Sequence, residues 1–179
     1  MAAALVLLAE GFEELEAIAI IDVLRRVGVK VTVAGLEAGP VKSVHDVVVQ
    51  TDGVIDGIDE ASFDAIALPG GTPGAKRLRE DERVLAMVRR FHESGRWTCA
   101  VCAAPTVLEA AGVLKGKRAT SYPGNPLPSA TFLEDRVVID GNLITSRGPG
   151  TAVEFAFAIA ERLAGAEAAA KQRSAMLVA

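Results

Sequence analysis

Apolar residues along this 179-residue chain alternate between short continuous runs and longer segments with helical spacing. Continuous runs are typical of strands buried on both faces of a parallel sheet, and the segments between them are typical of connecting helices. The pattern predicts strands over 3–9, 30–35, 63–68 and 97–101. It predicts helices over 13–27, 81–94 and 150–163, and a further helix from Cys102 to about Ala111.

The remaining segments have weaker patterns. Residues 41–50 and 53–58 alternate less regularly and are predicted to be hairpin or edge material, while 119–122 is predicted to be a short strand. RVVID and NLITS flank Gly141 and predict a second hairpin. Strands that alternate with helices indicate βαβ units, so we expect one α/β domain over 1–179, with helices on both faces of a mostly parallel sheet.

Composition excludes several classes of protein. Apolar residues make up 50% of the chain and aromatic residues 4%, which indicates an aliphatic core, and the net charge is −4 with no basic cluster. We therefore expect no nucleic-acid partner. No apolar run approaches the ~20 residues of a membrane span, and the opening MAAALVLLAE lacks the basic segment of a signal peptide. Two cysteines cannot form a disulfide framework, so a reduced, cytoplasmic protein is expected.

Both cysteines lie in the stretch CAVCAAP. Cys99 falls within a predicted strand, roughly 10 Å from Cys102 at the rise of an extended chain, which favours a small core residue over a disulfide partner. Cys102 ends that strand where a helix begins, and Ala100 and Ala104 flank it as in a nucleophile elbow. The helix N-terminus is expected to favour the thiolate form of Cys102, although an inert buried thiol is the alternative.

Glycines and one acid are candidates to surround this thiol. Gly70 and Gly71 end the preceding strand, at the sheet edge where Cys102 is expected, and their N–H groups could form an oxyanion hole with that of Ala103. A plain turn is the alternative interpretation of this PGG segment. Glu16 falls on the apolar face of the first helix, where burial would raise its pKa and suit it to proton transfer, unless it is a buried acid paired with a basic residue.

Two further observations leave alternatives open. Leu15, Ile18 and Ala19 lie on the otherwise polar side of the first helix, which either a subunit contact or a second buried face would explain. The histidines, His45 and His92, cannot be assigned to a Cys–His dyad from spacing, and His92 is expected to be solvated.

Five segments resemble the ThiJ/PfpI superfamily, in the branch of the parkinsonism-associated deglycase: EGFEELEA, RRVGVKVTVAG, ALPGG, AVCAAPTVL and TSRGPGTAVEFA. The resemblance implies a flavodoxin-like three-layer sandwich that forms a homodimer. It also implies a reactive cysteine at Cys102 on a strained elbow, a protonated glutamate at Glu16, and glycine N–H groups at Gly70 and Gly71.

The chain departs from the family pattern at two positions. Tyr122 stands where the family has a site histidine, which places any mechanism that needs an imidazole there in doubt. His45 stands where this branch has an arginine, so anion binding at the site is expected to be weaker or pH-dependent. Both residues are expected to line the site.

The leading hypothesis is a cysteine enzyme, without cofactor or metal, that acts on reactive aldehydes such as methylglyoxal or on glycated proteins, as in glyoxalase III or deglycase chemistry. Cys102 would form a hemithioacetal, Glu16 would shuttle the proton, and the N–H groups of Gly70, Gly71 and Ala103 would hold the oxyanion. One alternative is a redox sensor or chaperone that uses a Cys102 sulfinate. Another is an intracellular cysteine peptidase or amidase, against which the missing histidine argues.

Overall fold

A central sheet between two layers of helices forms the fold in the computed structural model, which describes residues 1–178. The strands are β1 (Ala3–Leu8), β2 (Lys30–Gly35), β3 (Val41–Lys42), β4 (Val48–Val49), β5 (Gly53–Val54), β6 (Ala65–Leu68), β7 (Trp97–Val101), β8 (Arg118–Ala119), β9 (Thr131–Phe132), β10 (Val137–Asp140) and β11 (Leu143–Ser146). The helices are α1 (Glu14–Arg26), α2 (Thr72–Glu80), α3 (Glu82–Glu93), α4 (Pro105–Ala110), α5 (Ala152–Ala164) and α6 (Ala166–Ala175).

The main sheet has seven strands in the order β10-β11-β7-β6-β1-β2-β5. Every neighbouring pair is parallel except β10 with β11, which form an antiparallel edge. All six residues of β1 are buried, as a strand at the centre of a covered parallel sheet requires. The predicted α/β class with a mostly parallel sheet is confirmed.

Two apolar clusters cover the two faces of this sheet. Leu5 of β1 belongs to the cluster under α2, α3 and α4, while the adjacent Val6 belongs to the cluster under α1, α5 and α6. Successive strand residues point to opposite faces, so β1 contributes to both cores. The expected three-layer sandwich is therefore confirmed.

The register of the parallel strands brings three chain segments together at one edge. Val6 of β1 pairs with Ala67 of β6, which in turn pairs with Cys99 of β7. The segments that follow these strands therefore meet at their carboxyl ends, where open α/β sheets place their sites.

Several elements differ from the sequence expectations. Helices α2 and α6 were not predicted, because α2 buries only Gly74, Ala75 and Leu78, and α6 buries only Ala169. The strand predicted over 119–122 instead lies at β8 and pairs with β9 outside the main sheet. The 41–50 hairpin is confirmed by the antiparallel β3 and β4, and β5 is an edge strand as expected. Within residues 1–178, no helix has the length and apolar character needed to cross a membrane.

Candidate functional site

Cys102 occupies a strained turn between β7 and α4. Its φ is +64°, a left-handed conformation that costs a non-glycine residue on the order of 1–3 kcal/mol. Two hydrogen bonds hold the turn: the Cys102 N–H donates to the Ser146 carbonyl at 2.9 Å, and its carbonyl accepts from the Tyr122 N–H at 2.8 Å. Pro105 then begins α4. This geometry is that of the predicted nucleophile elbow.

Gly70 joins the elbow to the start of α1. Its N–H donates to Glu16 Oε2 at 2.6 Å, and its carbonyl accepts from the Glu13 N–H at 2.9 Å. A Cβ at this position would lie 2.6 Å from Cys102 Cβ and 2.8 Å from Glu16 Oε2. Only glycine lets the three segments approach this closely.

The Glu16 carboxyl is completely buried beside the thiol. Burial raises the pKa of Glu16 to about 7, although the Gly70 N–H and the Cys102 side chain act to lower it. Oε1 is buried and has no hydrogen-bond partner. The Cys102 side chain interacts with the carboxyl, so the thiol is the group with which Glu16 can share a proton. The prediction that Glu16 points inward with a raised pKa is confirmed, and within residues 1–178 it forms no ion pair.

The ionisation of Cys102 differs from the sequence expectation. Burial raises the pKa of Cys102 to about 12, a negative charge on Glu16 raises it further, and the N–H groups of Gly71 and Ala103 lower it. The expected preference for the thiolate does not hold while Glu16 is ionised, because desolvation outweighs the dipole of the six-residue helix α4. Since the charge on Glu16 is one cause, protonation of Glu16 makes ionisation of the thiol easier.

The N–H groups around the sulfur also require a correction. Gly70 was expected to contribute to an oxyanion hole, but its N–H is already engaged by Glu16. The N–H groups of Gly71 and Ala103 face Cys102 and remain available to an oxygen bound there. Gly71 has a φ of +87° as the N-cap of α2, which again requires glycine.

Glu13 lies beside the site and was not among the residues that the sequence pattern indicated. It is the N-cap of α1, and its Oε2 accepts from the Glu16 N–H at 2.8 Å. Glu13 precedes Glu16 by three residues, which is the spacing of a capping interaction between an N-cap side chain and the backbone N–H three residues later. The sequence EELE therefore contained this signal. Glu13 thus fixes the turn that carries Glu16.

Tyr122 is hydrogen-bonded through its backbone to the Cys102 elbow. Its ring packs against Gly148, where an added Cβ would come within 3.1 Å of Cδ2, and 49% of the residue is exposed. Thr120 and Tyr122 leave the strand ladder because their N–H groups donate to Thr145 Oγ1 and to the Cys102 carbonyl. The structure therefore connects Tyr122 to the elbow through its backbone.

The two histidines are placed differently. His45 is exposed, and its Nδ1 lies 2.6 Å from Glu14 Oε1 at the start of α1. His92 is half-buried rather than solvated, and burial lowers its pKa. It lies near the end of α3, which leads to the amino end of β7, at the sheet edge opposite Cys102. No Cys–His dyad is formed within residues 1–178.

Cys99 is an inert core residue, as predicted. It is completely buried in β7, burial raises the pKa of its thiol, and both cysteines are free. Of the two cysteines, Cys99 has no exposed surface, whereas 8% of Cys102 is exposed.

Comparison with known proteins gives consistent results along the whole chain. Residues 2–162 match the DJ-1/PfpI family. Protein dj-1beta of Drosophila melanogaster is 46% identical over 181 residues, covering 98% of this chain and 97% of that protein. Its crystal structure superposes with a TM-score of 0.96 over 99% of this chain and 98% of that one.

Two further relatives bear on chemistry. A deglycase of Thermococcus kodakarensis is 35% identical over 150 residues, covering 82% of this chain and 90% of that protein. The structure of a Toxoplasma gondii DJ-1, described as oxidized, is 37% identical with a TM-score of 0.93, and the alignment covers 100% of both chains.

Proposed function

Because this chain belongs to the DJ-1/PfpI family, we propose that it is a cysteine-dependent enzyme that acts on small reactive aldehydes or on the adducts they form with proteins. One observation carries the proposal: the buried Glu16 carboxyl, held by the Gly70 N–H, interacts with the side chain of Cys102 on a strained elbow. The name of the deglycase relative supports chemistry of this class.

The first step forms a bond between Cys102 Sγ and the aldehyde carbon. Glu16 in its carboxylate form accepts the thiol proton as the sulfur attacks, which avoids the unfavourable free thiolate. The negative charge that develops on the aldehyde oxygen is stabilised by the N–H groups of Gly71 and Ala103. Return of the proton from Glu16 to this oxygen gives a hemithioacetal.

The second step moves a proton within the bound substrate. With methylglyoxal, Glu16 removes the proton from the former aldehyde carbon, and the electron pair shifts to the neighbouring carbonyl oxygen to give an enediolate. Delivery of that proton to the adjacent carbon, together with transfer of the hydroxyl proton from the first oxygen to the second, gives a lactoyl thioester, which water cleaves to lactate and free thiol. The net reaction adds one water and needs no external electron acceptor. A pKa of about 7 allows Glu16 to both take and give the proton near neutral pH.

The experiment follows methylglyoxal loss and lactate formation in the parent chain, Cys102→Ser and Cys99→Ala. We expect turnover to vanish in Cys102→Ser and to persist in Cys99→Ala, since Cys99 is sealed in the core. Loss in Glu16→Gln and retention in Tyr122→Phe would assign the proton transfer to the carboxyl. Turnover at the parent rate in Cys102→Ser would refute the proposal.

A redox sensor is the second candidate. The observation in its favour is the partial exposure of Cys102 beside a carboxyl that can donate a hydrogen bond, together with the oxidized state described for the Toxoplasma gondii relative. Two equivalents of peroxide convert the thiol to a sulfinate with release of two waters. Intact mass after mild peroxide should show two added oxygens that disappear in Cys102→Ser. Oxygen distributed among Cys99 and the methionines would count against it.

We also propose that the chain acts as a homodimer. An apolar patch on the outer side of α1 consists of Leu15, Ile18, Val47 and Val153, whose exposed fractions are 64%, 45%, 44% and 37%. Because Leu15 and Ile18 are exposed, a second buried face within the monomer does not account for them. The four residues line one shallow surface depression, and contiguous exposed apolar surface of this kind favours association with another chain.

A further inference from the structure

Three potential metal ligands converge outside the Cys102 pocket, at the start of α1. One ligand atom each from Glu13, Glu14 and His45 lies within 4.8 Å of the other two. We propose that these three side chains form a binding site for a divalent transition-metal ion of the Zn²⁺ class. This inference does not depend on the proposed aldehyde chemistry, because none of the three residues performs a step in it.

The backbone holds the two parts of the site against each other. The Gly11 N–H donates to the Lys42 carbonyl at 2.8 Å, and the Val44 N–H donates to the Phe12 carbonyl at 2.9 Å. A β-bridge joins Phe12 to Ser43. The hairpin that carries His45 is thereby fixed to the segment that leads into α1. The ligands are therefore held close together before an ion binds.

The carboxylates have unused acceptor capacity. Glu14 Oε1 lies 2.6 Å from His45 Nδ1. Glu14 Oε2 is buried and makes no hydrogen bond of normal geometry, although the Ser43 hydroxyl is close enough to interact with this carboxylate. A buried carboxylate oxygen with so little hydrogen bonding is costly, and a cation would compensate it. Glu13 uses Oε2 to cap α1, which leaves its other oxygen for a metal ion.

The donor set selects the class of ion. Imidazole nitrogen combined with carboxylate oxygen suits Zn²⁺, Co²⁺ and Ni²⁺ better than Ca²⁺ or Mg²⁺, which prefer oxygen alone. Bonds of about 2.0–2.2 Å place the ligand atoms of a tetrahedral ion roughly 3.3 Å apart. His45 and Glu14 therefore need to separate by less than about 1 Å, as the ion replaces the hydrogen bond between them.

The two carboxylates give the site a net negative charge that favours a cation. The partial positive charge at the N-terminus of α1 repels a metal ion, and two carboxylates offset it. Three protein ligands leave one coordination position for water or a small ligand. Because His45 is exposed, an ion has a direct path from solvent.

The test measures metal binding in a background that lacks the competing thiol. Chelator-treated full-length Cys102→Ser is titrated with Co²⁺ while its visible absorption is recorded, and with Zn²⁺ against a chromophoric chelator. We expect one ion per chain and a cobalt spectrum of low coordination number. Adding His45→Gln or Glu14→Gln should weaken affinity at least tenfold, as loss of a ligand requires.

The matched control adds His92→Gln, which removes the other histidine at the opposite edge of the sheet and should leave affinity unchanged. Thermal unfolding of each variant without metal verifies that the fold is intact. Binding that His45→Gln leaves unaltered, or that His92→Gln weakens equally, would overturn the proposal, as would the absence of stoichiometric binding. Any of these three results would reduce the cluster to a simple His45–Glu14 ion pair.

Discussion

At the scale of single residues, the titration of Glu16 links the site to stability. Its pKa of about 7 in the folded chain exceeds its ordinary value of 4.5, so the native state holds a proton that the unfolded state has lost between these pH values. Stability therefore falls as pH rises through this window, by on the order of 3 kcal/mol. Glu16→Gln cannot titrate and should show a flatter profile.

Urea unfolding at about pH 5 and about pH 8 measures this difference. Glu10→Gln is the matched control, because Glu10 is an exposed carboxyl between β1 and the helix that carries Glu16. If Glu16→Gln lost as much stability as the parent between the two pH values, the buried carboxyl would not be the group that titrates.

Gly70 gives a second prediction at this scale. Gly70→Ala places a methyl group 2.6 Å from Cys102 Cβ and should cost about 1–3 kcal/mol of unfolding free energy, with loss of any Cys102-dependent activity. Gly57→Ala is the control, because no heavy atom lies within 4 Å of the added methyl group. Equal melting temperatures for the two variants would contradict the close approach that the structure shows.

The main residues of the site could be predicted from the sequence, but the hydrogen bonds between them could not. Cys102 and Glu16 could be identified from their positions in the hydrophobic pattern, because an elbow after a strand and an acid on the apolar face of a helix are local features of the sequence. The N–H of Gly70 was assigned to the wrong partner because its bond to Glu16 spans 54 residues and depends on how α1 docks. The raised pKa of Cys102 likewise depends on burial that no local pattern reports.

At the scale of elements, the cap of α1 determines where Glu16 points. Glu13→Ala removes the acceptor for the Glu16 N–H and should cost about 1 kcal/mol, whereas Glu13→Gln retains a side-chain carbonyl and should cost only a few tenths. Chemical denaturation at neutral pH distinguishes the two variants. The same loss for both would mean that the charge of Glu13, rather than its hydrogen bond, stabilises the helix.

The elements that the sequence failed to predict share a physical cause. In α2 and α6 the buried residues are glycine, alanine and a single leucine, so little apolar periodicity marks the inward face. Both helices therefore depend on packing against neighbouring elements rather than on a marked apolar face of their own. By contrast, α3 buries Val84, Leu85, Val88 and Phe91 at helical spacing and was predicted correctly.

At the scale of the whole molecule, the alternation of strands and helices was sufficient to predict a three-layer sandwich, because parallel strands need helical crossovers of one hand. The sheet order was not predictable in the same way, since it depends on which edge each crossover returns to. That order places β6 between β1 and β7, and so brings Gly70, Cys102 and Glu16 to one site.

The apolar patch gives the last prediction, because the monomer leaves it uncovered. Leu15→Glu combined with Ile18→Glu should convert a dimer to a monomer, since burying two carboxylates in an apolar contact costs several kcal/mol. Light scattering after size-exclusion chromatography measures the mass directly. The control is Val48→Glu, which changes an exposed valine on β4 that does not belong to the patch. A parent chain that elutes as a monomer at micromolar concentration, or a double variant that remains dimeric, would refute this interface.

If dissociation also lowered turnover, the second chain would be needed to hold the start of α1, and with it Glu16, in the position that the chemistry requires.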